Sequence, residues 1–270
     1  MRLPRWTIVV ACLLTWTMSN DVAATTCPAV AYRVLPAPLR PAPRTTHVWL
    51  TAPLAWAGAS LTLRPATVGA ASTTAVLLDR RDAPGPEETT IELAPRAPLA
   101  ARTRYELWAS AGVASAPRIL STFITSEALD DAPPSWSAKL RIRPAIAADP
   151  RVVQLVEPRA PTVVLEGDLA ADAGSPADTI LFGVWIAGPS GAIDYARPPS
   201  TYLRQDLRAR VVGPGGAVTL ALALGAADAC SPVNFAFPAA STRVGVVAVD
   251  LAGNRGAAAE ITLPALPSSP

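Results

Sequence analysis

Histidine and lysine are nearly missing from this chain: His47 and Lys139 are the sole examples among 270 residues. With one imidazole, neither a Ser-His-Asp triad nor a multi-histidine metal centre has material to be built from. Charge is scarce too, at 16% of residues, and 23 basic against 21 acidic side chains leave a net charge of +2. No basic stripe stands out, so a nucleic-acid partner is excluded. Uninterrupted helix-length windows are also rare, because 29 prolines and 16 glycines are scattered through the chain. Abundant alanine and leucine raise helix propensity, but the prolines break the helices that propensity favours. What is there is a chain 50% hydrophobic, enough to build a folded core of one or two domains.

The N-terminus carries Arg2 and Arg5, then an uncharged run from Trp6 to Met18, then the small residues Val22-Ala23-Ala24. This is the layout of a secretory signal peptide, expected over residues 1–24. The run is shorter than the roughly 20 residues that cross a bilayer, which disfavours an uncleaved anchor and a membrane span in the mature chain. Val9-Val10-Ala11-Cys12 loosely fits a lipoprotein box, but Leu13 and Leu14 continue the apolar run past the cysteine. Export, to the periplasm, the outer surface or the medium, leaves two of the three cysteines, Cys27 and Cys230. In an oxidising compartment they suggest one disulfide, whose long loop would contribute about 5 kcal/mol in the chain-entropy model. Two unpaired or intermolecular thiols are the alternative.

Along the chain, apolar residues alternate with polar ones. Leu61 and Leu63 stand against Thr62 and Arg64, and Ile91 and Leu93 against Thr90 and Glu92. This period of two predicts strands with one buried face. Val48–Leu50, Ala75–Leu78, Tyr105–Trp108 and Ile119–Ile124 read the same way, giving about seven strands before residue 126. The segment Ser126–Pro134, acidic and ending in a double proline, marks a boundary, with a linker at 127–136. Strands resume at Leu140–Ile142, Val163–Leu165 and Ile180–Ile186. Val218–Leu224 fits a strand or part of an Ala-Leu helix, and Thr219 with Gly213, Gly215 and Gly216 favours the strand. Val244–Val249 reads as a central strand, residues 257–263 as the closing one, and Leu203–Val211 as the best helical window. The expected architecture is all-β: two β-sandwich domains in tandem after a signal peptide, at 25–126 and 137–264, with a frayed tail at 265–270.

The stretch Leu99-Ala-Ala-Arg-Thr103-Arg-Tyr105, followed by Phe123-Ile-Thr125, resembles the Leu-x-x-x-Thr-x-Tyr pattern of fibronectin type III and bacterial SbsA-type Ig-like repeats. Ala101 and Arg102 depart from the Pro or Gly often found there. The resemblance implies a tyrosine corner at Leu99, Thr103 and Tyr105, in which the Tyr105 hydroxyl returns to upstream backbone. Val244-Gly-Val-Val-Ala-Val-Asp250-Leu-Ala-Gly-Asn254 looks like the final hairpin of exported bacterial Ig-like domains, with Asp250, Gly253 and Asn254 in its turn.

Chemistry-bearing groups are sparse. Glu166, Asp168, Asp172 and Asp178 supply oxygens of the type calcium takes, but their spacing fits no calcium loop and reads as a solvated turn; Asp250 and Asn254 invite the same comparison and answer. Glu87-Glu88 and Asp130-Asp131 are adjacent pairs, expected on opposite strand faces or in water. Gly188-Pro-Ser190-Gly191 lacks the spacing of a nucleophile elbow and reads as a turn. Arg204, Arg208 and Arg210, with Asp206 among them, suit a covered sheet edge. Trp49 and Trp185 read as core, whereas Trp56, Trp108 and Trp136 are candidates for stacking on sugars. The expectation is a non-catalytic exported protein without cofactor or bound metal. It would act as a structural spacer or adhesive module with a protein or glycan partner, the alternative being a carbohydrate-binding accessory protein.

Overall fold

A computed structural model describes residues 32–38, 40–66, 74–110, 116–143, 162–205, 209–212, 216–225 and 232–265. The signal peptide, Cys27, Cys230, Asp206, Arg208, Gly213, Gly215 and all but the first residue of the tail lie outside the described residues.

The first half contains β1 (Arg33–Leu35), β2 (Pro41–Ala42), β3 (Val48–Pro53), β4 (Ser60–Pro65), β5 (Leu78–Pro84), β6 (Glu88–Pro95), β7 (Arg104–Ser110) and β8 (Arg118–Thr125). They form two sheets, ordered β1-β3-β6-β5 and β2-β8-β7-β4. That is the division of an immunoglobulin sandwich, with a first strand split between the sheets and its second piece, β2, running parallel to β8. The second half holds β9 (Leu140–Arg143), β10 (Val163–Gly167), β11 (Leu181–Ile186), β12 (Thr201–Arg204), β13 (Arg210–Val212), β14 (Val218–Leu224), β15 (Thr242–Val249) and β16 (Arg255–Leu263). Its sheets run β13-β14-β10-β9 and β12-β11-β15-β16. The fold is all-β, two Ig-like sandwiches in tandem.

Each sandwich closes on its own apolar centre. Val48, Leu50, Leu63, Ile91, Leu93, Leu107 and Phe123 fill the first, and Leu165, Phe182, Val184, Leu220, Leu222, Val244 and Val246 the second. The alternation places these residues, because side chains two apart on a strand share a face.

Four local expectations need correction. The described ends of Leu203–Val211 are strands and not an α-helix: β12 runs to Arg204 and β13 begins at Arg210, both paired into sheets, with Ala209 in a 3-10 turn just before β13. Residues 74–77 are irregular and the strand runs instead from Leu78 to Pro84, where Asp79–Asp82 offer no apolar alternation to read. Thr90 and Glu92 are buried rather than solvent-facing, as is the whole of Glu88–Leu93. Asp130 is buried as well, although Asp131 beside it is exposed. The last two share one cause, the packing of the second sandwich on the first.

Candidate functional site at the domain junction

The outer faces of the β1-β3-β6-β5 and β12-β11-β15-β16 sheets lie against one another. Leu35, Trp49 and Ala83 of the first meet Leu181, Tyr202, Val249 and Leu251 of the second in a third apolar cluster. Trp49 and Tyr202 pack edge to face with centroids 5.0 Å apart, the arrangement aromatic quadrupoles prefer. Backbone reinforces it: His47 N–H donates to the Leu251 carbonyl at 2.6 Å, and Glu87 N–H donates to the Val233 carbonyl at 3.2 Å. At the periphery Arg40 pairs with Asp178 at 3.0 Å.

Polar side chains interrupt this apolar contact, and His47 and Arg81 each pair with Glu92. His47 Nδ1 lies 2.7 Å from Glu92 Oε1, and Arg81 approaches the other Glu92 oxygen at 3.9 Å. Burial, then the Glu92 charge, pushes the Tyr202 hydroxyl well above the ordinary tyrosine range, with Arg255 and Arg81 opposing. Gly253 turns the β15–β16 hairpin at φ +81°, and a Cβ there would run into the His47 imidazole. Glycine is thus required by conformation and by clearance.

The connecting segment is tied to both sides. Asp130 N–H donates to Thr45 Oγ1 at 2.9 Å, and the Asp130 carbonyl accepts from Asn254 Nδ2 at 3.0 Å. Ser135 and Ala171 exchange both backbone hydrogen bonds, at 2.8 and 3.0 Å. This anchoring brings Asp130 to Asp172 and Asp250, with one carboxylate oxygen from each all within 4.8 Å. Asn254 fixes Asp250 through N–H to Oδ1 at 2.9 Å and Nδ2 to Oδ2 at 3.0 Å. Ser175 Oγ lies 3.4 Å from Asp130 Oδ2, and a Cβ on Gly174 would occupy the place of the Asp130 carboxylate. Burial pushes Asp250 up to about 6 against the two Asn254 hydrogen bonds, with the Asp130 and Asp172 charges adding to the rise. Asp130 is raised also, by burial first and by Asp172 second.

The other sequence-derived candidates are dispersed. Tyr105 is buried beside Phe123, with its hydroxyl accepting from Ala100 N–H at 3.0 Å, and Leu99 is in the same core. Thr103 N–H donates to Thr125 Oγ1 at 3.0 Å. Trp136 caps the second core edge-on to Phe182 and donates to the Asp168 carbonyl at 3.2 Å. Trp56 packs on the first core beside Tyr32 under Arg118, whereas Trp108 is on the outer face of β7, bonded to Glu106. The three rings therefore form no row. Of the acidic loop only Asp172 joins a cluster: Glu166 pairs with Arg141 and Arg143, and Asp178 with Arg40. Gly191 completes a turn by donating to the Gly188 carbonyl at 2.8 Å. Arg204 donates to the Asp178 carbonyl at 2.8 Å. The carboxylate triad eluded sequence reasoning because its members come from the linker, a loop and a hairpin; their one local signal is the Asp250–Asn254 turn.

A cavity of about 140 Å³ opens beside Tyr202, lined by Arg81, Glu92, Arg197 and Arg255 among others. It falls below the roughly 300 Å³ at which small-molecule sites begin. No helix among the described residues is long and apolar enough to cross a membrane.

No protein-family model and no curated protein matches the chain. Among solved structures it is similar to the N-terminal Ig1-2 module of Drosophila Receptor Protein Tyrosine Phosphatase DLAR, at 11% identity and a TM-score of 0.26, over 86% of this chain and 97% of that one. The strand pairing described above, and not this distant similarity, defines the two sandwiches.

Proposed function

We propose that this chain is an exported, non-catalytic tandem of Ig-like sandwiches that serves as a stiff spacer or protein-binding module of the cell envelope or extracellular space. One observation carries the reading: the two sandwiches share the buried Trp49–Tyr202 contact and a linker bonded on both sides, so the pair behaves as one rigid unit. Rigidity suits a part that sets a distance or presents surfaces in fixed register. Among the described residues the edges of β4, β5, β9 and β16 have no neighbouring strand and offer backbone groups to an incoming one. A glycan partner has less support, because Trp136 is engaged in its own core and the remaining tryptophans do not align.

Small-angle scattering on the purified chain tests this. A profile fitted by one interdomain arrangement, unchanged between low and high salt, is the expected result. A profile requiring a broad ensemble of domain orientations would overturn the spacer reading.

A further inference from the structure

We propose that the cavity between the sandwiches, where Arg81, Arg197 and Arg255 surround Tyr202, binds one carboxylate group. The inference rests on the closed junction described above and not on what the tandem does as a spacer.

Three observations converge. The first is an unmet hydroxyl. Tyr202 is 7% exposed, its ring is held edge to face by Trp49, and its hydroxyl makes no hydrogen bond among the described residues. The charges that bear on this hydroxyl belong to Glu92, Arg255 and Arg81, all of which line the cavity with it. Buried hydroxyls ordinarily have a partner, and one that faces a cavity without any marks the place of a missing acceptor. Burial, then the Glu92 charge, holds the proton on the oxygen, so the group is a donor at any ordinary pH.

The second is an unmatched positive charge. Asp82, in the cavity wall, is taken up by Arg80 through hydrogen bonds at 2.8 and 2.9 Å, and Asp194 meets Arg197 at 3.2 Å. Arg81 reaches Glu92 only at 3.9 Å, too far for a hydrogen bond, so its charge is offset while its donors stay free. Arg255 forms no ion pair among the described residues. Its single hydrogen bond there runs from Nη1 to the Tyr195 carbonyl at 2.7 Å, and its guanidinium carbon lies 5.2 Å from the centre of the Trp185 ring. A guanidinium has five N–H donors, so Arg255 is held in place with most of them unspent.

The third is fit. About 140 Å³ has room for a carboxylate on a short stem and not for a drug-sized molecule. The loop that supplies Arg197 is fixed from below, where Trp185 Nε1 donates to the Arg197 carbonyl at 2.8 Å. Forked guanidinium donors match the two oxygens of a planar carboxylate. One surplus positive charge selects a monoanion, whereas a phosphate group, with nearly two charges at neutral pH, would also face the Glu92 carboxylate. The carboxylate can come from a free small acid or from an acidic side chain of a protein partner.

The experiment follows tryptophan fluorescence of the full chain during titration with sodium acetate at constant ionic strength, because Trp49 touches Tyr202 and Trp185 lies beneath Arg255. Expected is a saturable change in the millimolar range, as so small a ligand allows, with neutral acetamide inert. Tyr202→Phe keeps the ring contact and removes a hydroxyl that has no partner, so it should melt no lower than the parent while binding acetate about tenfold more weakly, the usual loss of a hydrogen bond to a charged group. Arg255→Gln should weaken binding by at least as much. A second arm uses the blocked tripeptide acetyl-Gly-Glu-Gly-amide: tighter binding than acetate supports the proposal with a protein source, and weaker binding supports it with a free acid. Scattering on the same sample reads the junction, so failure to bind with the junction intact is told apart from loss of the junction itself. Absence of a saturable acetate response with the junction intact would overturn the proposal. So would an equal response to acetamide, tighter binding of sulfate than of acetate, or undiminished acetate binding in Tyr202→Phe.

Discussion

Among single residues, Tyr105 and Glu88 make opposite contributions. The Tyr105 hydroxyl accepts from the Ala100 N–H at the corner, so Tyr105→Phe removes that hydrogen bond and should cost about 0.5–1.5 kcal/mol in chemical denaturation. Glu88 is buried, and desolvation raises its carboxyl above the ordinary value of 4.5 despite Arg33 at 3.6 Å. Its protonated form is thus the better folded species. The stabilisation this supplies is complete below the ordinary value and is lost as pH rises through the folded one. Glu88→Gln should therefore melt higher than the parent at neutral pH, and thermal melts across pH should show that advantage shrinking towards pH 4. Tyr105 was legible in advance, because a corner tyrosine leaves a local pattern between Leu99 and Thr103. Glu88 was not, since what buries it is distant in sequence.

At the level of strands, alternation located nearly every long element but assigned only one face of each. β3, β6, β11 and β15 are covered on both sides, by their own core and by the neighbouring sandwich. For β11 and β15 the second face announces itself as a continuous apolar run; for β6 it is written in Glu88, Thr90 and Glu92, which carry no such signal. β12 and β13 were hidden because their residues also fit a helical pattern and only pairing with β11 and β14 decides the matter. Close packing on the outer face of β11 has a measurable consequence. A Cβ at Gly183 would lie 2.6 Å from the Trp185 ring and 3.2 Å from Tyr202, so Gly183→Ala should cost about 1–3 kcal/mol by overpacking. Altered tryptophan fluorescence should accompany the loss.

For the molecule as a whole, the junction decides whether the sandwiches unfold together. Trp49 contributes its indole to the shared cluster rather than to the centre of the first sandwich, a placement that strand alternation does not report. Trp49→Ala removes the largest contact from one side of that cluster and, by the usual cost of deleting a buried aromatic, about 3–5 kcal/mol. Differential scanning calorimetry should then show the single cooperative transition of the parent split into two.

The parallel pairing of Pro41–Ala42 with Ile124–Thr125 carries a mechanical corollary. Tension applied to the two ends of the first sandwich pulls β2 and β8 in opposite directions along their length, so their bridging bonds are loaded in shear and must rupture together rather than unzip one at a time. A protein so threaded resists stretching where its sequence is least conspicuous, at a two-residue clasp.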